Sequence, residues 1–282
     1  MTIETLFDTI TYQVAQHKAA ITLNRAEARN GFTLTMANEL NVALAEADRD
    51  DTVRVVILRA VGEHFCVGMD MSSEPSLEDT TDPSWDEPAT RVARPITNLN
   101  KPVIAAIQGA AVGVGISMTL PADFRLAAED ARFGFVFARR GVMPEAGSLW
   151  FLPHLVGLAK AKEWMISGRI FGASEALQAG LITSVHPRSE LWAAADALAT
   201  DIATNVAPVS AAVIRRGLTA MLAKGSPEAA FAVDRKTIPY AFASSDMTEG
   251  VSAFLQKRPP QFDGVAREVV PRFTWLDFDR ES

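Results

Sequence analysis

The sequence predicts an α/β fold that ends in a helical portion, on three observations. The run Val103–Ile107 is continuously apolar, as a strand covered on both faces should be. Residues Thr35–Asp48 set Met36, Leu40, Ala43, Leu44 and Ala47 on one side at helical spacing, and an apolar strand, Val53–Leu58, follows. Beyond Val185 the strand pattern stops and helical patterning takes over.

In chain order, strand pairs reach to about Leu23, then come the helix at 35–48 and the strand at 53–58. The segment SSEPSLEDTTDPSWDEP (72–88) is acidic and proline-rich, with almost nothing to bury, which predicts a mobile loop, either a solvated insertion or a cover for a neighbouring site. After the strand at 103–107, a turn built on Gly109, Gly113 and Gly115 leads into a helix opening near Gly113. Strands and helices then alternate to about Val185 as βα units. Helices are expected at 189–205, 208–223, 227–243 and 246–257, and in the last of them Met247, Val251, Phe254 and Leu255 share one face. The expected division is a core over 1–188, a helical portion over 189–264 and a tail over 265–282.

Composition narrows the class. With 282 residues and 48% apolar content the chain can bury a full core. A net charge of −7 without a basic run argues against nucleic-acid binding. The single cysteine excludes an internal disulfide framework. MTIETLFDTI has no basic flank or long apolar stretch, and no segment supplies about 18 uninterrupted apolar residues, so a cytoplasmic protein off the membrane is expected.

The chemistry lies in two glycine loops. In KPVIAAIQGAAVGVG (101–115) the turn exposes the N–H groups that open a helix, from Gly113 to Ile116. In FCVGMDM (65–71) Gly68 precedes Met69 and Asp70 at the end of another strand. Two backbone donors aimed at one thioester oxygen stabilise the enolate formed when a neighbouring carbon loses a proton, about 3 kcal/mol per donor. Glycines of this kind also serve close packing alone. A dinucleotide site fails on spacing: counted from Gly113 the third glycine would fall at Met118, and from Gly109 the second would fall at Ala111. Neither a phosphate-binding GxxxxGKS or GxxxxGKT nor a metal-binding cluster occurs, so no cofactor of its own is expected.

Over roughly residues 10–260 the chain resembles the crotonase superfamily, the enoyl-CoA hydratase/isomerase family. The resemblance rests on ITLNRAEARN (21–30), FCVGMDM, KPVIAAIQGAAVGVG, ADFRLAAEDARFGF (122–135) and GRIFGASEALQAGLI (168–182), in family order and spacing. It implies a spiral of ββα units, an acyl-CoA thioester as substrate, and oxyanion amides at Met69 and Val114, with Gly68 and Gly113 shaping their turns. It further implies a homotrimer or dimer of trimers, and contacts to coenzyme A from Arg25 and Ala28 in the LNRAEARN loop and from Phe254 and Lys257 in SDMTEGVSAFLQK.

The departures from the family are informative. Where family hydratases carry two glutamates, this chain aligns Ser117 and Phe137, neither of which can act as a carboxylate base. It offers Glu145 in MPEAGS instead, which resembles the single-base isomerases that move a double bond between the 3 and 2 positions of an acyl-CoA. An acidic residue just ahead of a helix near Gly147 can also do no more than complement that helix. Phe135, Val136, Phe137, Val142, Met143, Leu149, Trp150 and Phe151 are expected to form an apolar wall that would raise the pKa of Glu145. Asp70 reads as a loop-shaping residue or a second acid, His64 and His154 as hydrogen-bonded residues, and Cys66 as packing. Ser117 lacks the partners of a hydrolase nucleophile. Three functions stay open: isomerisation with Glu145 as single acid/base, hydration with a non-standard base such as Asp70, and acyl-CoA binding with little turnover.

Overall fold

The structure, a computed structural model, describes residues 3–71, 81–82 and 85–273. Seven strands form one twisted sheet: β1 (Ile3–Leu6), β2 (Ile10–Ala15), β3 (Lys18–Leu23), β4 (Val55–Ala60), β5 (Val103–Ile107), β7 (Phe124–Ala128) and β10 (Ser184–His186), adjacent in that order. The first three pair antiparallel, and from β3 onward every pair is parallel. A second, small sheet holds β6 (Ala110–Val112), β8 (Arg132–Gly134) and β9 (Phe171–Gly172). The chain visits the sheets in turn, β5 then β6 before helix α3 (Val114–Ser117), and β7 then β8 before α4 (Phe137–Arg140). Each passage is a ββα unit.

The unbroken apolar run of β5 now has its reason. Val55, Ile57, Ile104, Ala106, Leu126 and Ala128 face one way, against Leu191, Ala195, Ala199 and Ile202 of α8 (Leu191–Asn205). The alternate residues Val56, Leu58, Val103, Ala105 and Ile107 face the main core, with α1 (Leu34–Arg49) and α2 (Thr90–Asn98). Period-two alternation thus buries both faces of the strand. Helix α8, grouped in the sequence with the C-terminal helices, therefore packs on the strands. Strand β4 starts and ends two residues later than expected. Val53 and Arg54 belong to a turn bonded to Asp50 and His17, while Arg59 stays in the strand with its guanidinium 4.2 Å from the Trp192 ring centre.

Between β8 and β10 lie α5 (Ser148–Val156), α6 (Leu158–Ser167) and α7 (Ala173–Gln178). The C-terminal helices are α9 (Pro208–Met221), α10 (Glu228–Phe242) and α11 (Ser245–Gln256). Part of the supposed tail is ordered: α12 (Ala266–Val269), Val270 and Phe273 pack on Val209, Ala212 and Ala220 of α9. The remaining tail, 274–282, and most of the loop expected to be mobile, 72–80 and 83–84, lie outside the described residues. Among those described, no single helix is long and apolar enough to cross a membrane, and no group of His, Cys, Asp or Glu is placed to hold a metal.

Candidate active site

Three loops at the ends of parallel strands are laced together by backbone hydrogen bonds. Past β4 the chain runs beside the segment after β5: Phe65 N–H donates to the Gln108 carbonyl (2.8 Å), Cys66 N–H to Ala110 (3.0 Å) and Val112 N–H to Cys66 (3.1 Å). On its other side, Phe32 N–H donates to Gly68 (2.8 Å) and Asp70 N–H to Phe32 (2.9 Å). Alternation along an extended chain then turns the intervening Met69 N–H away from Phe32, and it has no acceptor within the described residues. The N–H groups of Val114 and Gly115, which open α3, are unpaired in the same sense, whereas that of Gly113 is held by Gly134 (2.8 Å).

Two glycines explain how the loops meet. A Cβ on Gly115 would lie 2.2 Å from the Cys66 carbonyl oxygen, so only glycine lets α3 start against that loop. Gly113 has room for a side chain, but its φ of +56° does not suit one. Gly68, also left-handed in φ, sits against the Val112 carbonyl.

The third loop, 25–32, is organised by Asn30, a residue that sequence reasoning did not single out. Its amide donates to the carbonyls of Val61 and His64, both at 2.8 Å, and its oxygen accepts from Arg25 N–H (2.8 Å). It sits at a left-handed φ of +52°, which asparagine tolerates, and the Asn30-Gly31 pair was the available signal of a turn. Arg25 is not a free cation: its guanidinium donates to the Gly31 carbonyl (2.6 Å) and Asp70 (2.9 Å). The pair ties the loop at 25–31 to the segment after Gly68. Ala28, partly buried, accepts from Gly31 N–H.

Glu145 follows the turn after α4. It is partly buried, and the Ser117 hydroxyl donates to its Oε1 at 3.4 Å, a long bond. Burial first and the charge of Glu87 second push its carboxyl up to about 7, against the opposing hydrogen bond from Ser117. The next residue, Ala146, is buried and held at φ +54°, a strained setting for alanine.

Other candidates fall out differently. Phe137 is buried in the core at the start of α4. The expected apolar wall is split: Phe135 stacks with Trp164 and Phe171 in the interior, Val142, Met143 and Leu149 face solvent, and Trp150 and Phe151 line a cavity behind Ala146. Helical geometry and a loop end distribute these neighbours in sequence over opposite sides. His64 Nδ1 accepts from Ala110 N–H (3.3 Å), and His154 Nδ1 bonds the Trp150 carbonyl (2.6 Å), so both are structural. Cys66 is fully buried and its thiol is pushed up to about 12, chiefly by burial, so it has no thiolate chemistry at neutral pH. Phe254 lies 82% exposed on α11, with Lys257 at the left-handed end of that helix.

The enoyl-CoA hydratase/isomerase family model matches residues 14–265. The chain belongs to this family. Among its relatives, enoyl-CoA hydratase ACTT3 of Alternaria alternata is 36% identical over 89% of this chain and 84% of its own length. The 1,2-epoxyphenylacetyl-CoA isomerase of Escherichia coli K12 is 33% identical over 86% of this chain and 94% of its own. The crystal structure of enoyl-CoA hydratase from Bacillus anthracis superposes with a TM-score of 0.83 at 30% identity, covering 91% of this chain and all of that one. The alternating two-sheet spiral is thus the crotonase fold, and this family member keeps it without a carboxylate at 117 or 137.

Proposed function

We propose that this protein binds an acyl-CoA thioester and isomerises its double bond through an enolate, with Glu145 as the one acid–base group. The Glu145 carboxylate takes a proton from C2 of a 3-enoyl-CoA, and the electron pair moves to the thioester oxygen, which accepts from the Met69 and Val114 N–H groups. Glu145 then returns the proton to C4 as the electrons flow back, leaving a 2-enoyl-CoA. One base facing both carbons suffices. The observation that carries this reading is a single carboxyl, raised to about 7, bonded to the very residue that stands where hydratases carry a glutamate.

Gly68 and Gly113 shape the two donor turns, Ser117 steadies Glu145, and Phe137 backs the site from the core. Arg25 and Asp70 hold the loop that, with Ala28, would meet coenzyme A. Phe254 and Lys257 on exposed α11 suit the adenine and phosphates, in a homotrimer or dimer of trimers and in the cytoplasm. The division into a core over 1–188, a helical portion over 189–264 and a tail is part of the same proposal, with α8 of the helical portion lying on the core sheet and residues 266–273 of the tail lying on α9. A second reading, water addition to a 2-enoyl-CoA, is favoured by relatives named hydratases. It would have to work without Asp70, whose carboxylate is tied to Arg25. A binding protein with little turnover is the third.

The test incubates 3-enoyl-CoA and, separately, 2-enoyl-CoA with the protein in heavy water, with mass spectrometry of deuterium uptake and product. Interconversion of the two alkenes that disappears in Glu145→Gln supports the proposal. Hydration that survives Glu145→Gln overturns it, and tight binding without turnover selects the third reading.

A further inference from the structure

The residue that follows Glu145 holds a conformation that does not suit it. Ser148 N–H donates to the Glu145 carbonyl (2.9 Å) and closes a two-residue turn in which Ala146 (φ +54°) and Gly147 (φ +67°) are both left-handed. Turns of this hand favour Asn-Gly or Gly-Gly, because a left-handed φ brings Cβ close to the following carbonyl oxygen. Glycine at 146 would relieve that crowding, whereas alanine keeps a methyl. The methyl is not spent on solvent. Ala146 is 1% exposed and forms part of the wall of a cavity of about 350 Å³. Thr90, Ala93 and Thr97, spread over about 10 Å of α2, share that wall with Trp150, Phe151 and Thr219, and the surface they make is largely apolar. The Phe151 ring also backs the turn, 3.3 Å from where a Gly147 Cβ would lie. Such a space suits an alkyl chain, and the group that would act on the start of that chain, Glu145, is the very next residue.

We propose that Ala146 is a specificity-determining residue: its methyl, held at a left-handed φ in the cavity wall, sets which acyl tails extend from the carbons at Glu145 into the cavity. The proposal rests on an acyl-CoA thioester being the substrate on which Glu145 acts. One methyl is enough for this role, since a single methylene more or less in an apolar pocket changes discrimination by about 10–200-fold. Glycine in its place widens the passage and admits a branched tail. A larger side chain that accepts the same φ narrows it and excludes a long one. Asparagine is such a side chain, so both directions can be tried without adding backbone strain.

Isothermal titration calorimetry of the full-length protein with acetyl-CoA, octanoyl-CoA and the branched 6-methylheptanoyl-CoA tests this, none of them having a double bond to move. Ala146→Asn should weaken octanoyl-CoA about tenfold or more and leave acetyl-CoA within about twofold of wild type. Ala146→Gly should raise the affinity for the branched tail relative to the straight one by about threefold or more. A methyl that only packs the core would move the melting temperature of these variants and neither ratio. An octanoyl-to-acetyl ratio within about twofold of wild type in folded Ala146→Asn therefore overturns the proposal, and so does an unchanged branched-to-straight ratio in Ala146→Gly. Wild type that binds none of the three overturns the acyl-CoA reading together with this one. A wrong base assignment shows differently, as undiminished turnover in Glu145→Gln with the affinity ratios intact.

Discussion

At the residue scale, Glu145 makes the site cost stability. Its carboxyl titrates at about 7 in the folded protein against 4.5 as a free side chain, so between those values the folded state binds the proton and the unfolded state does not. Stability attributable to this group is therefore intact below about pH 4.5, falls as pH rises toward 7, and is lower by up to about 3 kcal/mol above it. Glu145→Gln, isosteric and neutral, should melt above wild type by calorimetry at pH 8 and alongside it at pH 4 (about 3 and 0 kcal/mol). An equal shift at both pH values would mean that the carboxyl is not raised. Glu145 was legible in the sequence because its position in MPEAGS departs from the hydratase pattern. Its bond to Ser117 and its field from Glu87 were not, since 28 residues separate the hydrogen-bonded pair and only the fold brings them together.

At the element scale, the loops depend on backbone fit. Gly115→Ala sets a methyl on the Cys66 carbonyl and should destabilise by about 1–3 kcal/mol, read by urea denaturation. Gly113→Ala meets open space and only an unsuitable φ, for about 1–2 kcal/mol, so this variant should fold and lose activity by misplacing the Val114 N–H. If Gly113→Ala retains full kcat, that donor is misassigned. Asn30→Ala removes three hydrogen bonds at a left-handed residue and should cost about 2–3 kcal/mol in the same assay. The long helices were legible: 35–48 and 246–257 each fall within a residue of α1 and α11, because amphipathic periodicity over three turns is a strong signal. Strands β6, β8 and β9, of three, three and two residues, were not, being shorter than any period that could announce them. Without them the second sheet, and so the spiral, was reached by resemblance alone.

At the scale of the molecule, the C-terminal helices are fastened to the spiral by Arg215 of α9. It is buried and donates to the carbonyls of Ile96, Thr97, Leu99 and Pro121 and to the Asp123 carboxylate (2.7 Å). Arg215→Ala should cost about 2–4 kcal/mol, since it takes the guanidinium from four carbonyls and leaves the Asp123 carboxylate with the Val103 N–H as its remaining donor (2.7 Å), and hydrogen exchange should show α9–α11 opening before the sheets. Those helices also expose Ile214, Leu218, Phe242, Val251, Phe254 and Leu255, more apolar surface than one chain can cover. Light scattering should accordingly find an oligomer, and a monomer at micromolar concentration would contradict the assembly proposed. Arg215 carried no signal in the sequence, where it reads as one more surface cation. The claim that joins these scales is that the fold holds one carboxyl, Glu145, ready to take and return a proton near neutral pH. Its most direct test is the pH dependence of kcat/KM for isomerising a 3-enoyl-CoA: activity should fall about tenfold per unit below about pH 7 and vanish in Glu145→Gln. A profile flat to pH 5, or activity that survives Glu145→Gln, would contradict it.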